Sequence, residues 1–382
     1  MEKQLISARQ FTIIVILFTV GTGILIIPAS IALEVKQDAW IVAIISTILS
    51  LIIIKFFITL GKKMSTLSFV EATEKILGSF IGKFVSIGFV ILTLLSSGEL
   101  LYFIGNFLQT EVMPETPPVV FAILFNFIIL FASYLGLEVF ARTLEILFPI
   151  FLFIFVVFVL FVSPQIDIRH IQPVLEVSTQ PFIYSVLHFM GLFSFPLVVL
   201  LMIFPSAINV HKSGQKGLYI GTLIGGFILT IFIALSILVL GVTNTSLRIF
   251  PSYTLAQRIS IGNFLQRIEI IMAFMWMVTI FVRAFMYFYA SLQGLGQILN
   301  IKDHRPLILP LGFITVALSQ IVHPNIVHSD KYNKETWPLY ISIFAILLPL
   351  LLLVVAKLRK INSPEDANQT KKNQLKDDQM IN

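Results

Sequence analysis

The sequence predicts an all-α polytopic membrane protein with ten transmembrane helices. They are expected to form a five-plus-five inverted repeat in which helices 1 and 6 are discontinuous. Three observations lead there. Of 382 residues, 57% are hydrophobic and 12% charged, and the mean hydropathy is +0.95. Apolar runs close to the roughly 20 residues that cross a bilayer recur along the whole chain. Two of those runs, the first and the sixth, carry glycine and proline near their middles.

Hydropathy puts the spans at about 11–33, 39–60, 82–109, 118–137, 144–163, 182–208, 218–241, 268–290, 307–322 and 338–356. The ninth is short and opens on Pro306 and Pro310. Residues 1–360 are thus read as one membrane domain, with repeats over about 11–163 and 182–356, and 361–382 as a polar cytoplasmic tail without aromatics. The opening MEKQLISARQF lacks a lysine cluster and a small-residue cleavage site, so the first run is expected to be retained as a span.

Charge supports ten spans with both termini cytoplasmic. Before the tail, the inner segments then hold Lys3, Arg9, Lys62, Lys63, Lys75, Lys83, Arg142, Lys212, Lys216, Lys302, Arg305, Lys357, Arg359 and Lys360. The outer ones hold only Lys36, Arg169, Arg248, Arg258, Arg267, Lys331 and Lys334. Such a two-to-one excess is the inside bias of membrane proteins. The net charge of +6 flanks spans and points to lipid, not to nucleic acid. The longest outer segment, 242–267, is expected to hold a short interfacial helix in SYTLAQRISIGNFLQRIE.

The first span reads FTIIVILFTVGTGILIIPAS. Gly21 and Gly23 weaken the helix, and Pro28 cannot donate to the carbonyl one turn back. A break between about Val20 and Ile24 would leave free amides, with a favourable dipole, at the start of the second half-helix. That end suits a carboxylate. In lipid such a break is tolerated only where protein or a cavity surrounds it. Close helix packing or a simple kink is the competing explanation. The sixth span, YSVLHFMGLFSFPLVVLLMIFPSAI, repeats the pattern with Gly191, Ser194 and Pro196. Two interrupted helices at corresponding positions of two halves point to a transporter-like site.

Candidate site residues are Gly21, Thr22, Gly23 and Ile24 on the first span, and Tyr184, His188, Gly191, Phe193 and Ser194 on the sixth. Glu99 in the third span is costly there unless neutral or paired, and is read as a proton-sensitive group, ligand contact or structural partner. Arg283 either pairs with an acid such as Glu99 or snorkels toward lipid phosphate. Lys55 is expected to snorkel, and Asn126 to bond a neighbouring helix. His188 is open to two readings, pH sensing or packing. His323 and His328 flank Pro324 and lack helical ligand spacing, so no metal site is expected. There are no cysteines, no P-loop, no dinucleotide fingerprint and no hydrolase elbow. No enzyme, catalytic residue or cofactor is expected.

The stretches ISARQFTIIVILFTVGTGILIIP, GKKMSTLSFVEATEKILG, HFMGLFSFP and LMIFPSAINVHKSGQKGLYIG resemble the B subunits of bacterial spore germinant receptors, the endospore germination permease family, over about residues 5–358. That family is similar to the amino acid–polyamine–organocation permeases. The resemblance implies the ten-helix inverted repeat and a role in sensing a small nutrient, typically an amino acid. It also implies location in the spore inner membrane and partnership with an A subunit and a lipoprotein C subunit. It gives Gly21–Ile24 the job of receiving a substrate carboxylate, with the sixth-span break facing the rest of the ligand. Some proton-coupled relatives carry a lysine in the fifth span. LEILFPIFLFIFVVFVLFVS has none, which puts lysine-mediated coupling in doubt. A secondary amino-acid transporter of the same fold is the alternative.

Overall fold

The computed structural model describes residues 5–64, 66–259 and 269–359. The expected tail, 361–382, and the second half of the expected interfacial helix lie outside the described residues. What is described is an all-α bundle of membrane-spanning helices. Eight helical stretches are long and apolar enough to cross a membrane, and two apolar helices, Ala8–Val20 and Arg305–Ile321, are shorter.

The first expected span is two helices, α1 (Ala8–Val20) and α2 (Gly23–Val35). Ser7 and Gln10 form a capping box at the start of α1. A 3-10 turn at Lys36–Asp38 then leads into α3 (Ala39–Met64), so helical structure runs almost unbroken from Gly23 to Met64. The quoted 61–78 stretch is largely helical. Ser68 and Glu71 make a second capping box and start α4 (Phe69–Leu77), which buries one face. After it come α5 (Ser79–Phe107), α6 (Pro118–Leu135) and α7 (Leu137–Val162).

The sixth span changes character midway. α8 (Thr179–Phe193) ends at Ser194 and continues as a 3-10 helix over Phe195–Met202. It is followed by α9 (His211–Leu247), which bends at Gly241, and by the short α10 (Pro251–Gln257). The C-terminal part holds α11 (Glu269–Ile298), α12 (Ile308–Ile321) and α13 (Ile326–Lys331). The last apolar stretch has α14 (Trp337–Ser342) and α15 (Leu348–Leu358), joined by wider π-type turns.

α11 lies at the centre. In its most apolar stretch 72% of residues are buried, against 22% in α7, which leaves α7 largely for lipid. α1 is fixed against α9 by close approach. Gly217, Gly221 and Gly225 recur every fourth residue of α9 and face Thr12, Val15 and Thr19. A Cβ on Gly225 would lie 2.0 Å from Thr19 Oγ1, so only glycine lets the helices meet there. Asn126 on α6 donates to Gly312 O at 3.2 Å and accepts from Thr315 Oγ1 at 3.1 Å, the interhelical bond its sequence position suggested. Lys55 is exposed. The start of the chain is tied to the far end of the sixth span: Ile6 N donates to Ala207 O, and Asn209 N to Ile6 O.

Candidate functional site

The site begins with two carbonyls that cannot find helical partners. At Gly21 the backbone takes φ 36° and ψ −131°, a conformation only glycine adopts without strain. α1 stops there and α2 starts two residues on, so Gly21 O loses its place in the helical ladder. Thr279 on α11 donates its hydroxyl to that oxygen at 2.9 Å. In the sixth span, Leu192 O would normally meet the amide of residue 196. That residue is Pro196, which has no N–H.

Arg283 fills the gap. Its Nη2 donates to Leu192 O at 2.8 Å and its Nη1 to Thr22 Oγ1 at 3.2 Å. The guanidinium also lies 5.5 Å from the centre of the Phe18 ring. One side chain therefore bridges both interruptions. This corrects the snorkelling expectation for Arg283, which is 3% exposed and faces inward. It also overturns the alternative of an ion pair with Glu99: among the described residues no carboxylate lies within salt-bridge distance of it. Trp337 adds a third support, donating Nε1–H to Gly191 O at 3.0 Å.

Thr22, Glu99, Leu192, Arg283, Tyr287 and Trp337 line a cavity of about 30 Å³, with Ser96, Leu100, Phe103 and Asn333. That is room for a water or two. Among the described residues the buried Tyr287 hydroxyl makes no hydrogen bond of good geometry, although Arg283 and Ser96 lie beside it. Phe103 and Asn333 also border a chamber of about 300 Å³ that includes Arg248, Asp330 and Lys334. A separate chamber of about 510 Å³ lies toward the C-terminal end of α11, bordered by Tyr289, Gln293, Gln297, Lys302 and Arg305. The geometry offers a buried cation, a carboxylate, a helix start and a phenol around one small polar space.

The sequence-nominated residues divide between the cavity and its surroundings. Thr22 and Glu99 line it directly. Gly21 backs Arg283, and a Cβ there would stand 2.7 Å from Arg283 Cδ. Gly23 and Ile24 form the first turn of α2, where amides have no intrahelical carbonyl to meet. Gly191 packs against Pro338 beside Trp337. Phe193 packs at a tilt against Phe189, and Ser194 bonds back to Met190 O; both are buried, but neither borders the cavity. Tyr184 is exposed, with its hydroxyl on Lys334 O, also away from the cavity. His188 Nδ1 meets Glu34 Oε1 at 2.7 Å, and Ser185 donates to Glu34 Oε2 at 2.6 Å. These bonds tie the C-terminal end of α2 to the middle of α8.

Sequence reasoning passed over Thr279, Tyr287, Glu34 and Trp337. A signal existed for the first two. Thr279, Arg283 and Tyr287 are spaced four apart, so they share one helix face. Among the described residues, no group of three His, Asp or Glu is arranged to hold a metal ion.

A family model described as spore germination protein matches residues 5–326. The chain is similar to Spore germination protein KB of Bacillus subtilis (strain 168), with 28% identity over 364 residues, 94% of this chain and 96% of that one. It is also similar to the Putative spore germination protein YfkT of the same organism, 24% identical over 351 residues, 92% and 96% of the two chains. Spore germination protein YndE of that organism is 25% identical over 362 residues, 93% and 97% of the two.

Proposed function

Because the chain belongs to the spore germination protein family, we propose that it is the B-type, germinant-sensing subunit of a spore germination receptor. In this reading its ten spans form the five-plus-five inverted repeat, with both termini facing the core. It sits in the spore inner membrane with an A subunit and a lipoprotein C subunit. Its ligand is a small carboxylate-bearing nutrient, an amino acid by class.

The observation that carries this is Arg283, a buried guanidinium that bridges both interrupted helices. A carboxylate is the matching partner for a guanidinium and can meet it with two hydrogen bonds. The first-turn amides of α2, at Gly23 and Ile24, would favour the same charge.

The cavity is smaller than an amino acid, so binding must enlarge it. Phe103 and Asn333 separate it from the 300 Å³ chamber and would have to yield. A ligand that binds the enlarged form better shifts the population toward it, and that shift is the signal to partner subunits. Glu99 borders the ligand's other end in this reading. Gly191, Phe193 and Ser194 shape the sixth-span break, while Tyr184 and His188 tune the outer ends of the helices.

The experiment is a germination screen of amino acids in a strain lacking the gene, with and without its restoration. Each active amino acid is compared with its amide, which lacks the carboxylate. Restoration should return the response to the acid and not to the amide. Equal responses to acid and amide, or no effect of restoration, would count against the reading. The second reading, a secondary amino-acid transporter, is favoured by two separate chambers, one of 300 Å³ between α2, the end of α9 and α13, and one of 510 Å³ beside the C-terminal end of α11. Saturable uptake of labelled amino acid by vesicles holding this chain alone would select it.

A further inference from the structure

Glu99 does not face Arg283 alone. On its other side, Glu99 Oε1 lies 3.2 Å from His323 Nε2. His323 Nδ1 lies 3.1 Å from His328 Nδ1. The middle imidazole therefore uses both ring nitrogens, one toward each neighbour. The His323 side chain is 1% exposed, the Glu99 side chain 9%, and His328 lies on the exposed surface. The three residues come from α5, the turn after α12, and α13. They make a continuous line from the molecular surface to the wall of the central cavity.

Hydrogen-bond chemistry fixes the direction of the line. With Glu99 ionised, its carboxylate only accepts, so His323 Nε2 carries the proton that meets it. In the neutral ring, His323 Nδ1 is then an acceptor, and His328 Nδ1 must be the donor. We propose that His328, His323 and Glu99 form a proton path from the surface to the ligand cavity. A proton arriving at His328 Nε2 lets the Nδ1–H of His328 pass to His323 Nδ1. His323 then gives its Nε2–H to Glu99 Oε1. Each imidazole ends neutral in its other tautomer, and one proton has moved from solvent to the carboxylate.

The surroundings suit this task. Tyr102 on α5 and Tyr332 after α13 pack their rings 5.2 Å from His323. Among the described residues, they, His328 and Glu99 are the titratable groups in contact with the middle ring. At the inner end, Glu99 shares the cavity with Arg283 and Tyr287. A second cavity of about 220 Å³, lined by Asn106, Gln320 and His323, gives the middle of the path a polar neighbour.

The consequence rests on the anion-binding reading of Arg283, although the path itself does not. Protonating Glu99 removes a negative charge from the wall of the cavity that also presents Arg283. The site then takes an anion more readily, and by linkage a bound anion strengthens proton uptake. Ligand and proton would bind together without a fifth-span lysine.

The test uses the full-length chain reconstituted in phospholipid vesicles, with no ligand added. Infrared spectroscopy follows the protonated-carboxyl band after a jump from neutral to mildly acid pH, and the Glu99→Gln variant assigns that band. His323→Gln keeps an N–H for Glu99 but cannot relay, and His328→Gln removes the exposed end with little risk to folding. Both should slow protonation of Glu99 by about tenfold or more, equivalent to about 1.4 kcal/mol in barrier. Wild-type rates in either variant would overturn the path. So would the absence of any Glu99-dependent band after the jump. Neither failure touches the Arg283 site, which is read by germination.

Discussion

The two interrupted spans reach the same result by different chemistry. In the first, Gly21 turns the backbone through a conformation other residues avoid, and two α-helices meet across a gap of two residues. In the sixth, Pro196 withholds one amide, and the helix tightens into 3-10 form instead of parting. The first break is sharp and conformational; the second is a missing donor. Both leave a carbonyl in a buried place, and both carbonyls are met from α11, by Thr279 and Arg283. A break is thus only half encoded where it occurs. The other half is a side chain on a third helix, placed to satisfy what the break exposes.

Several changes would break or sharpen that contrast. The largest effect is expected from Gly21→Ala. Forcing alanine into that conformation costs about 1–3 kcal/mol, and its Cβ would also press on Arg283 Cδ. Thermal melting of the purified protein should fall, and ligand response with it. An unchanged melting temperature would mean that α1 and α2 are joined more loosely than described.

Pro196→Ala acts in the opposite sense. It returns an N–H to Leu192 O and competes with Arg283 for it. Stability should hold or rise while the germination response weakens; a clear loss of stability would show that Pro196 matters for packing instead. Thr279→Val keeps the shape and removes the hydroxyl on Gly21 O, costing about 1 kcal/mol. Trp337→Phe strips the donor from Gly191 O and should cost less, about 0.6 kcal/mol, the usual size of such a bond within a membrane. Denaturation of the two variants side by side checks their order.

The smallest effect belongs outside the membrane segments, in the loop after α7. Hydrogen bonds from the Arg169 guanidinium and amide hold the Asp167 carboxyl down at about 2. A lowered carboxyl contributes above its ordinary range and loses that contribution only as pH falls through its folded value. Asp167→Asn should therefore leave the stability–pH profile unchanged from neutral to mildly acid conditions. A new dependence there would show that the loop is coupled to the site.

Much of this was written in the chain. Gly21 and Pro196 mark where the backbone leaves a regular α-helix, because their chemistry is local. Long apolar runs mark the helices for the same reason. Boundaries drifted where a helix outruns its apolar core, as α7 does by starting at Leu137 and α9 by reaching Leu247. Arg283 was misjudged because its partners, Thr22 and the Leu192 carbonyl, are far away in sequence, and a carbonyl leaves no trace in residue identity. Likewise, nothing in the spacing of His323 and His328 reveals that α5 brings Glu99 beside them. Depth in the membrane can be read from hydropathy; the direction a polar side chain faces cannot, unless it recurs on one helix face as Thr279, Arg283 and Tyr287 do.

The central claim is that Arg283 both closes the two interruptions and receives the ligand's charge. Its most direct test is the germination dose–response of spores carrying Arg283→Gln at wild-type membrane abundance, beside Arg283→Lys, which keeps the charge but not the fork. The glutamine variant should need roughly a hundredfold more nutrient, about 3 kcal/mol for the loss of a buried charge partner, with lysine between it and wild type. An unchanged dose–response in the glutamine variant at equal abundance would contradict the account.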